Sequence, residues 1–418
     1  MSRGITLCIV GAGSSYTPEL VEGILAHTID ELPVAALRLH DIHTERMDIT
    51  ASLARRMIAH AGRDISVDSG TDLEAMLEGA DFVITQIRVG GMAARARDER
   101  IPLKYGVIGQ ETTGPGGMFK ALRTIPAMLE ICRTVERVVP EAFVLNYTNP
   151  SGMVTEAMKK HTNARFIGLC SGMPGIVRRL SEKLADRFPD LKVYCVGLNH
   201  LGFAYRMVSG GKDVTEEAIR LVVDRKIGTA EFARFLGAVP LSYLNNYFHH
   251  AKRVEKALAG EKTRAETIEQ IEQEVFAQAA DPATVTKPEA LAKRGGGGYS
   301  AVTFSFLKAI LNDTGAELVC TVQNGGAVDG IEHDAGVEVT CRVGKDGPEP
   351  IPVGAMPLAF RGLVQAVKAY ETLTVEAAIH RERGLVVQAL LTHPLVGDLD
   401  TAVPLVDEML QAHGLDYR

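Results

Sequence analysis

A short apolar run, Ile5-Thr-Leu-Cys-Ile-Val10, leads without a break into Gly11-Ala-Gly-Ser-Ser-Tyr16, and Thr17-Pro-Glu-Leu20 then opens an apolar-periodic helix. Strand, glycine turn and helix in that order commit the chain's start to a βαβ unit. Parallel strands need a helical crossover, so a doubly wound sheet is expected to follow. Thr17 is placed to cap the helix and Pro18 to occupy its first position, where a missing N–H costs nothing. Gly11 and Gly13, with Ser14 and Ser15 beside them, let the backbone turn tightly and approach a pyrophosphate that the helix N-terminus stabilises. The third glycine of the usual fingerprint is replaced by Tyr16. A second strand, Ala36-Leu-Arg-Leu-His-Asp41, ends on a carboxylate positioned for ribose hydroxyls. An acid there favours NAD over NADP, although Arg38 and His40 stand close to it. An ordinary tight turn with a surface Asp would account for either piece alone; the order of the elements favours the dinucleotide.

Further along, helical and apolar segments keep alternating. A helix is expected over about 43–62, a strand near 65–67, a strand over 80–88, a helix over about 117–138 and a strand over 142–147. This predicts an α/β fold with a Rossmann-like parallel sheet whose ligands lie at the carboxyl ends of the strands. That edge collects residues 11–15, Asp41, Arg88, Asn149, Cys170 and His200. Cys170 and His200 each follow a short apolar run and are residue types that hold divalent metals. A metal beside a nicotinamide points to redox chemistry on an alcohol carbon. From about residue 170 the pattern changes to hairpins such as 203–213 mixed with amphipathic helices. Two domains are therefore expected, a dinucleotide domain over 1–169 and a mixed α+β domain over 170–418. The glycine run after Arg294 reads equally well as a flexible connector or as an anion-binding loop.

A formal net charge of −7 and the lack of a basic run argue against nucleic acid or an anionic membrane as partner. The six cysteines are scattered without a C-x-x-C pair, as expected of a reducing cytoplasm rather than a disulfide framework. No apolar run approaches the roughly 20 residues of a membrane span.

Several stretches together carry a family resemblance. They are Gly11–Leu20, Asp98–Gly117, Asn146-Tyr-Thr-Asn-Pro-Ser-Gly152, Gly197-Leu-Asn-His200, Arg294–Ser300 and Leu391–Val396. They resemble glycoside hydrolase family 4, and within it the branch that cleaves 6-phospho-β-glucosides. The stretch 98–117 is its most specific part. This NAD-dependent family stands apart from glycosidases that use two carboxylates.

The resemblance implies hydrolysis by oxidation at sugar C3, proton removal at C2 with loss of the glycosidic oxygen from C1, addition of water, and re-reduction. NAD and Mn²⁺, or another divalent metal, are the implied cofactors, with Cys170 and His200 as metal ligands and the second domain as the catalytic one. Tyr243 is the implied base, preferred over Tyr247 by its spacing after Pro240. Arg95, Asn149 and Arg294 match positions that contact the sugar or its 6-phosphate, and an arginine fork suits a phosphate. Asn149 also suits a helix cap before Pro150. Where the family carries Asp or Asn after the metal cysteine, this chain has Ser171, so cleavage of α-linkages with an acid from that position is not expected. Leaving-group protonation is then left without an assigned residue, Glu111 of the central motif near the sugar being one candidate. The implied substrate is a phosphorylated disaccharide or aryl glycoside, and the implied assembly a cytoplasmic homodimer or homotetramer. An enzyme for unphosphorylated glycosides or uronides, a hydroxy-acid or polyol dehydrogenase, and an NAD-sensing regulator are the other readings of the same features.

Overall fold

The first six strands are β1 (Ile5–Val10), β2 (Val34–His40), β3 (Ser66–Gly70), β4 (Phe82–Thr85), β5 (Phe143–Asn146) and β6 (Arg165–Gly168). Among themselves these six all pair in parallel. β4 and β5 are buried at every position and β1 and β6 at all but one, the pattern of strands covered on both faces by helices. The computed structural model describes residues 4–295 and 297–418.

Seven more strands follow: β7 (Lys192–Leu198), β8 (Leu201–Ser209), β9 (Lys212–Asp213), β10 (Val239–Pro240), β11 (Ala316–Gln323), β12 (Gly336–Gly344) and β13 (Gly347–Pro350). Among the described residues the first sheet has nine strands in the order β13-β12-β11-β6-β5-β4-β1-β2-β3. Its parallel part has the doubly wound order, with the direction of winding reversing between β1 and β4, and ligands bind at that crevice in such sheets. β11–β13 extend the sheet antiparallel, and β11 joins β6 through the single pair Thr321↔Gly168. The second sheet, β10-β8-β7 with β9 on β8, is antiparallel. The fold is thus α/β with a Rossmann-like doubly wound sheet and a mixed α+β C-terminal portion.

Several expected boundaries shift. The first helix is Thr17–Leu25 with Tyr16 in the cap position, so Thr17 is its first residue, and its hydroxyl donates to Ala12 O at 2.7 Å instead of capping. The helix after the central motif is Gly114–Val138, beginning at the Gly-Pro pair that suits a first turn. Pro150, not Asn149, is the cap of the helix Ser151–His161; Asn149 Oδ1 accepts from Ser151 N at a long 3.4 Å. The helix Gly91–Arg100, which has no apolar periodicity to announce it, fills the stretch between β4 and the central motif.

One apolar core runs from Leu7 in β1 to Val406 near the C-terminus, so the N- and C-terminal parts share packing. A second cluster, including Met173, Leu180, Met207 and Val222, fills the space under the second sheet.

Candidate active site

At the end of β1 the chain turns so tightly that side chains are excluded. A Cβ on Gly11, where φ is +90°, would lie 2.9 Å from the Gln86 carbonyl, and one on Gly13 would lie 2.9 Å from Asp41 Oδ2. Asp41 accepts from Gly13 N at 2.8 Å and, through its other oxygen, from His43 N at 2.9 Å. The carboxylate expected at the ribose therefore also fastens the glycine turn to the end of β2. Gly11, Gly13, Ser14 and Asp41 line one cavity of about 1390 Å³. This exceeds the roughly 300–1,000 Å³ of a typical small-molecule pocket and leaves room for a dinucleotide and a sugar together. Ser15 is fully buried outside the lining and donates to Glu272 Oε1 at 3.1 Å.

The same cavity is lined by Arg95, Glu111, Asn149, Cys170, His200 and Tyr243. Cys170 lies two residues past β6. His200 comes from a different sheet than expected: with Asn199 it forms the two-residue turn of the β7–β8 hairpin, where Leu198 pairs with Leu201. Its φ is +66°, a left-handed conformation in which non-glycine residues cost on the order of 1–3 kcal/mol and which clusters at functional sites. Burial pulls the His200 imidazole down to about 4, so it is neutral, and its buried Nδ1 has no hydrogen-bond partner among the described residues. The Cys170 thiol is pushed up to about 12 by burial, a pressure that a bound cation would reverse. A neutral imidazole with an orphaned nitrogen and a sulfur in one cavity suit a borderline divalent metal. Among the described residues no group of three His, Cys, Asp or Glu side chains comes together, so the rest of a metal's shell would come from outside the protein.

Tyr243 lies flat on the His200 ring, with centroids 4.3 Å apart and planes 11° from parallel. Burial raises its phenol above the usual range, Cys170 and Glu111 add to the rise, and Arg95 opposes them. Tyr247 is absent from the cavity lining; its hydroxyl meets Thr113 Oγ1 at 2.8 Å and its side chain packs against a small apolar cluster that includes Val107 and Leu395.

Glu111 is gripped by cations. Arg88 reaches Oε2 at 2.5 Å, Lys120 reaches the same oxygen at 2.7 Å, and Arg95 reaches Oε1 at 3.1 Å. These charges overcome its burial and hold the carboxyl well below the usual range. A carboxylate so held cannot donate a proton at neutral pH, which removes Glu111 as the leaving-group acid while leaving it available to accept hydrogen bonds. Lys120 gives way instead: burial and the neighbouring Arg88 pull its ammonium down to about 7.

Arg294 ends a short helix, Leu291–Arg294, and is nearly buried. One nitrogen is 3.3 Å from Glu272 Oε1, its guanidinium lies 4.2 Å from the Tyr16 ring centroid, and its Nε is buried without a partner among the described residues. Residue 296 of the glycine run lies outside the described residues. The rest of the run is tied down at both ends, since Tyr16 Oη donates to Gly295 O and Gly298 N donates to Glu19 Oε1 at 2.8 Å. Glu272 joins three parts of the cavity, accepting from Ser15 and pairing with Arg294 and with Arg46 at 2.7 Å. The sequence did not single out Lys120 or Glu272. Lys120 had a signal, an ammonium amid the apolar residues 118–122 of a buried helix; Glu272 sits in a polar stretch and had none.

Comparison with known proteins bears on this geometry. Residues 6–186 match the model of the family 4 glycosyl hydrolases, and residues 195–396 match that of the family's C-terminal domain. A probable 6-phospho-beta-glucosidase of Bacillus subtilis (strain 168) is 41% identical over 99% of this chain and 97% of its own length. The 6-phospho-beta-glucosidase of Escherichia coli (strain K12) is 37% identical over 99% of this chain and 96% of its own. The structure of the 6-phospho-beta glucosidase from Thermotoga maritima with manganese, NAD+ and glucose-6-phosphate superposes with a TM-score of 0.89. It is 32% identical and covers 99% of each chain.

Proposed function

The chain belongs to family 4 of the glycosyl hydrolases, and on that footing we propose that it hydrolyses β-linked 6-phosphoglycosides with NAD and Mn²⁺ as cofactors. What supports this reading best is the single cavity that joins a dinucleotide turn to a Cys170–His200 pair and a tyrosine. A glycosidase working by acid and base alone would use neither the turn nor the pair. Relatives of the same family are described as 6-phospho-β-glucosidases, and one was solved with all three ligands.

In this reading residues up to 169 hold the dinucleotide. Gly11, Gly13 and Ser14 form the pyrophosphate turn, Ser15 lies buried beneath it against Glu272, out of reach of the cofactor it was expected to touch, and Asp41 takes the ribose. Cys170 and His200 hold the metal. Bound there, the two cofactors supply reversible oxidation of a sugar carbon and polarisation of the resulting carbonyl, which makes the adjacent C–H acidic. Tyr243 takes the C2 proton. Its stacking on His200 fixes the phenol beside the metal ligands, where positive charge counteracts the burial that otherwise keeps it protonated. Arg95, Glu111 and Asn149 hold sugar hydroxyls, with Glu111 as an acceptor. Ser171, lacking an acidic proton, leaves the chain without the acid used on α-linkages, in keeping with a β-linked phosphorylated disaccharide or aryl glycoside.

Assays of chromogenic glycosides with and without the 6-phosphate, each with and without NAD and Mn²⁺, test the proposal. Hydrolysis of the phosphorylated β-glycoside on catalytic NAD is expected. NADH released in step with product would identify a dehydrogenase instead, and equal rates on unphosphorylated sugar would remove the phosphate from the reading.

Arg294 gives a separate expectation. Arg294 lines the cavity and its buried Nε has no partner among the described residues, although Glu272 holds the neighbouring nitrogen. Arg294→Ala is expected to weaken phosphorylated substrates by about 1.5–3 kcal/mol, the range for hydrogen bonds to charged groups. Unphosphorylated analogues should change little, and KM measured on matched pairs checks the difference.

A further inference from the structure

Behind the Cys170–His200 pair lies a buried polar row that the proposed chemistry does not use. Asn199, the other residue of the hairpin turn, is 7% exposed. Its Nδ2 donates to Glu338 Oε1 at 3.0 Å, and its side chain lies beside the Cys170 thiol, where it opposes the rise that burial imposes. Glu338 is on β12, 1% exposed, and its Oε2 has no partner among the described residues. Further back, Lys368 pairs with Glu371 at 2.6 Å and with Glu156 at 2.8 Å.

A primary amide has two hydrogens on one nitrogen. With one taken by a carboxyl fixed on β12, the amide is held in place beside the sulfur. Glu338 sits on a strand paired along its whole length with β11, so it is anchored better than the turn it holds. An apolar residue would fill the same space without leaving a buried carboxyl oxygen unpaired, which ordinarily costs stability. A half-satisfied acid at this place calls for a task, and the hydrogen bond it makes leads to the turn that carries His200.

We infer that Asn199 and Glu338 are positioning residues for the metal site, Glu338 orienting the Asn199 amide and the amide in turn orienting the Cys170 sulfur next to His200. The inference rests on the proposed metal at Cys170 and His200. Groups behind metal ligands typically change affinity by about 10–100-fold when removed.

Mn²⁺ binding to the intact protein, followed by electron paramagnetic resonance of free Mn²⁺, is the measurement, with NAD affinity by calorimetry alongside. Asn199→Ala and Glu338→Ala are each expected to weaken Mn²⁺ by about 10–100-fold at unchanged NAD affinity. Glu338→Gln, which keeps an oxygen for the amide, should recover most of the loss. Because Glu338 acts through Asn199, the double alanine variant should bind no worse than the weaker single one. Should Glu338→Ala fail to fold, Asn199→Ala, at the turn, and Glu338→Gln carry the comparison. Wild-type Mn²⁺ affinity in the single alanine variants, additive losses in the double variant, or a matching loss of NAD binding would each overturn the inference. Failure of the wild-type protein to bind Mn²⁺ would overturn the metal assignment itself, a different result from intact binding that ignores these two residues.

Discussion

Cys170→Ser and His200→Ala are each expected to abolish Mn²⁺-dependent hydrolysis while NAD binding stays within a few-fold of wild type. The size of the effect follows from the number of donors. Among the described residues no third metal-binding side chain joins the pair, so losing one leaves a single protein donor. A serine hydroxyl does not compensate, since it stays protonated where a thiol can ionise on a metal. The glycine turn is built from β1, β2 and the Gln86 region and, among the described residues, shares no hydrogen bond with either residue, which is why NAD affinity is expected to be spared. His200→Asn is the better control for the hairpin, because asparagine tolerates the left-handed backbone at φ +66°. Titration of activity against Mn²⁺ with parallel calorimetry of NAD checks the prediction. Undiminished turnover after thorough chelation rejects the metal.

Turnover in heavy water is expected to place deuterium at C2 of the released sugar, and Tyr243→Phe to suppress both that exchange and hydrolysis. Removing a positioned general base costs typically about 10²–10⁴-fold. Phenylalanine keeps the ring that stacks on His200, so the loss reports on the hydroxyl and not on the packing. Mass spectrometry of the product detects the label, provided Tyr243 trades its proton with solvent before re-addition. Direct displacement at C1 leaves C2 untouched. Near-normal activity in Tyr243→Phe rejects this base, and label-free turnover without NAD rejects the redox reading altogether.

How much of this was legible in the sequence follows from how local each signal is. The β1 turn, Asp41 and the alternating strands could be read because strand, glycines and helix lie within a few residues of one another. Cys170 and His200 were visible as metal-capable residues, yet their sheets were not: nothing near residue 200 says that β7 pairs with β8 in a separate sheet. Nor does the stretch 316–350 announce that it will extend the parallel sheet through a single Thr321–Gly168 contact. Glu272 was invisible because its meaning lies in partners 226 and 257 positions away, Arg46 and Ser15. The sequence put Glu111 in the right neighbourhood with the wrong possible job; its three cations arrive from three separate places, at residues 88, 95 and 120.

Tyr16 departs from the dinucleotide fingerprint at the position where a glycine ordinarily serves close helix–strand packing. Here its hydroxyl holds Gly295 and its ring carries the guanidinium of Arg294. The turn proposed for one ligand is thus the seat of the arginine proposed for the other. A substitution at Tyr16 designed to weaken the cofactor will register as poorer sugar affinity, and steady-state kinetics that vary one ligand at a time will blame the wrong one.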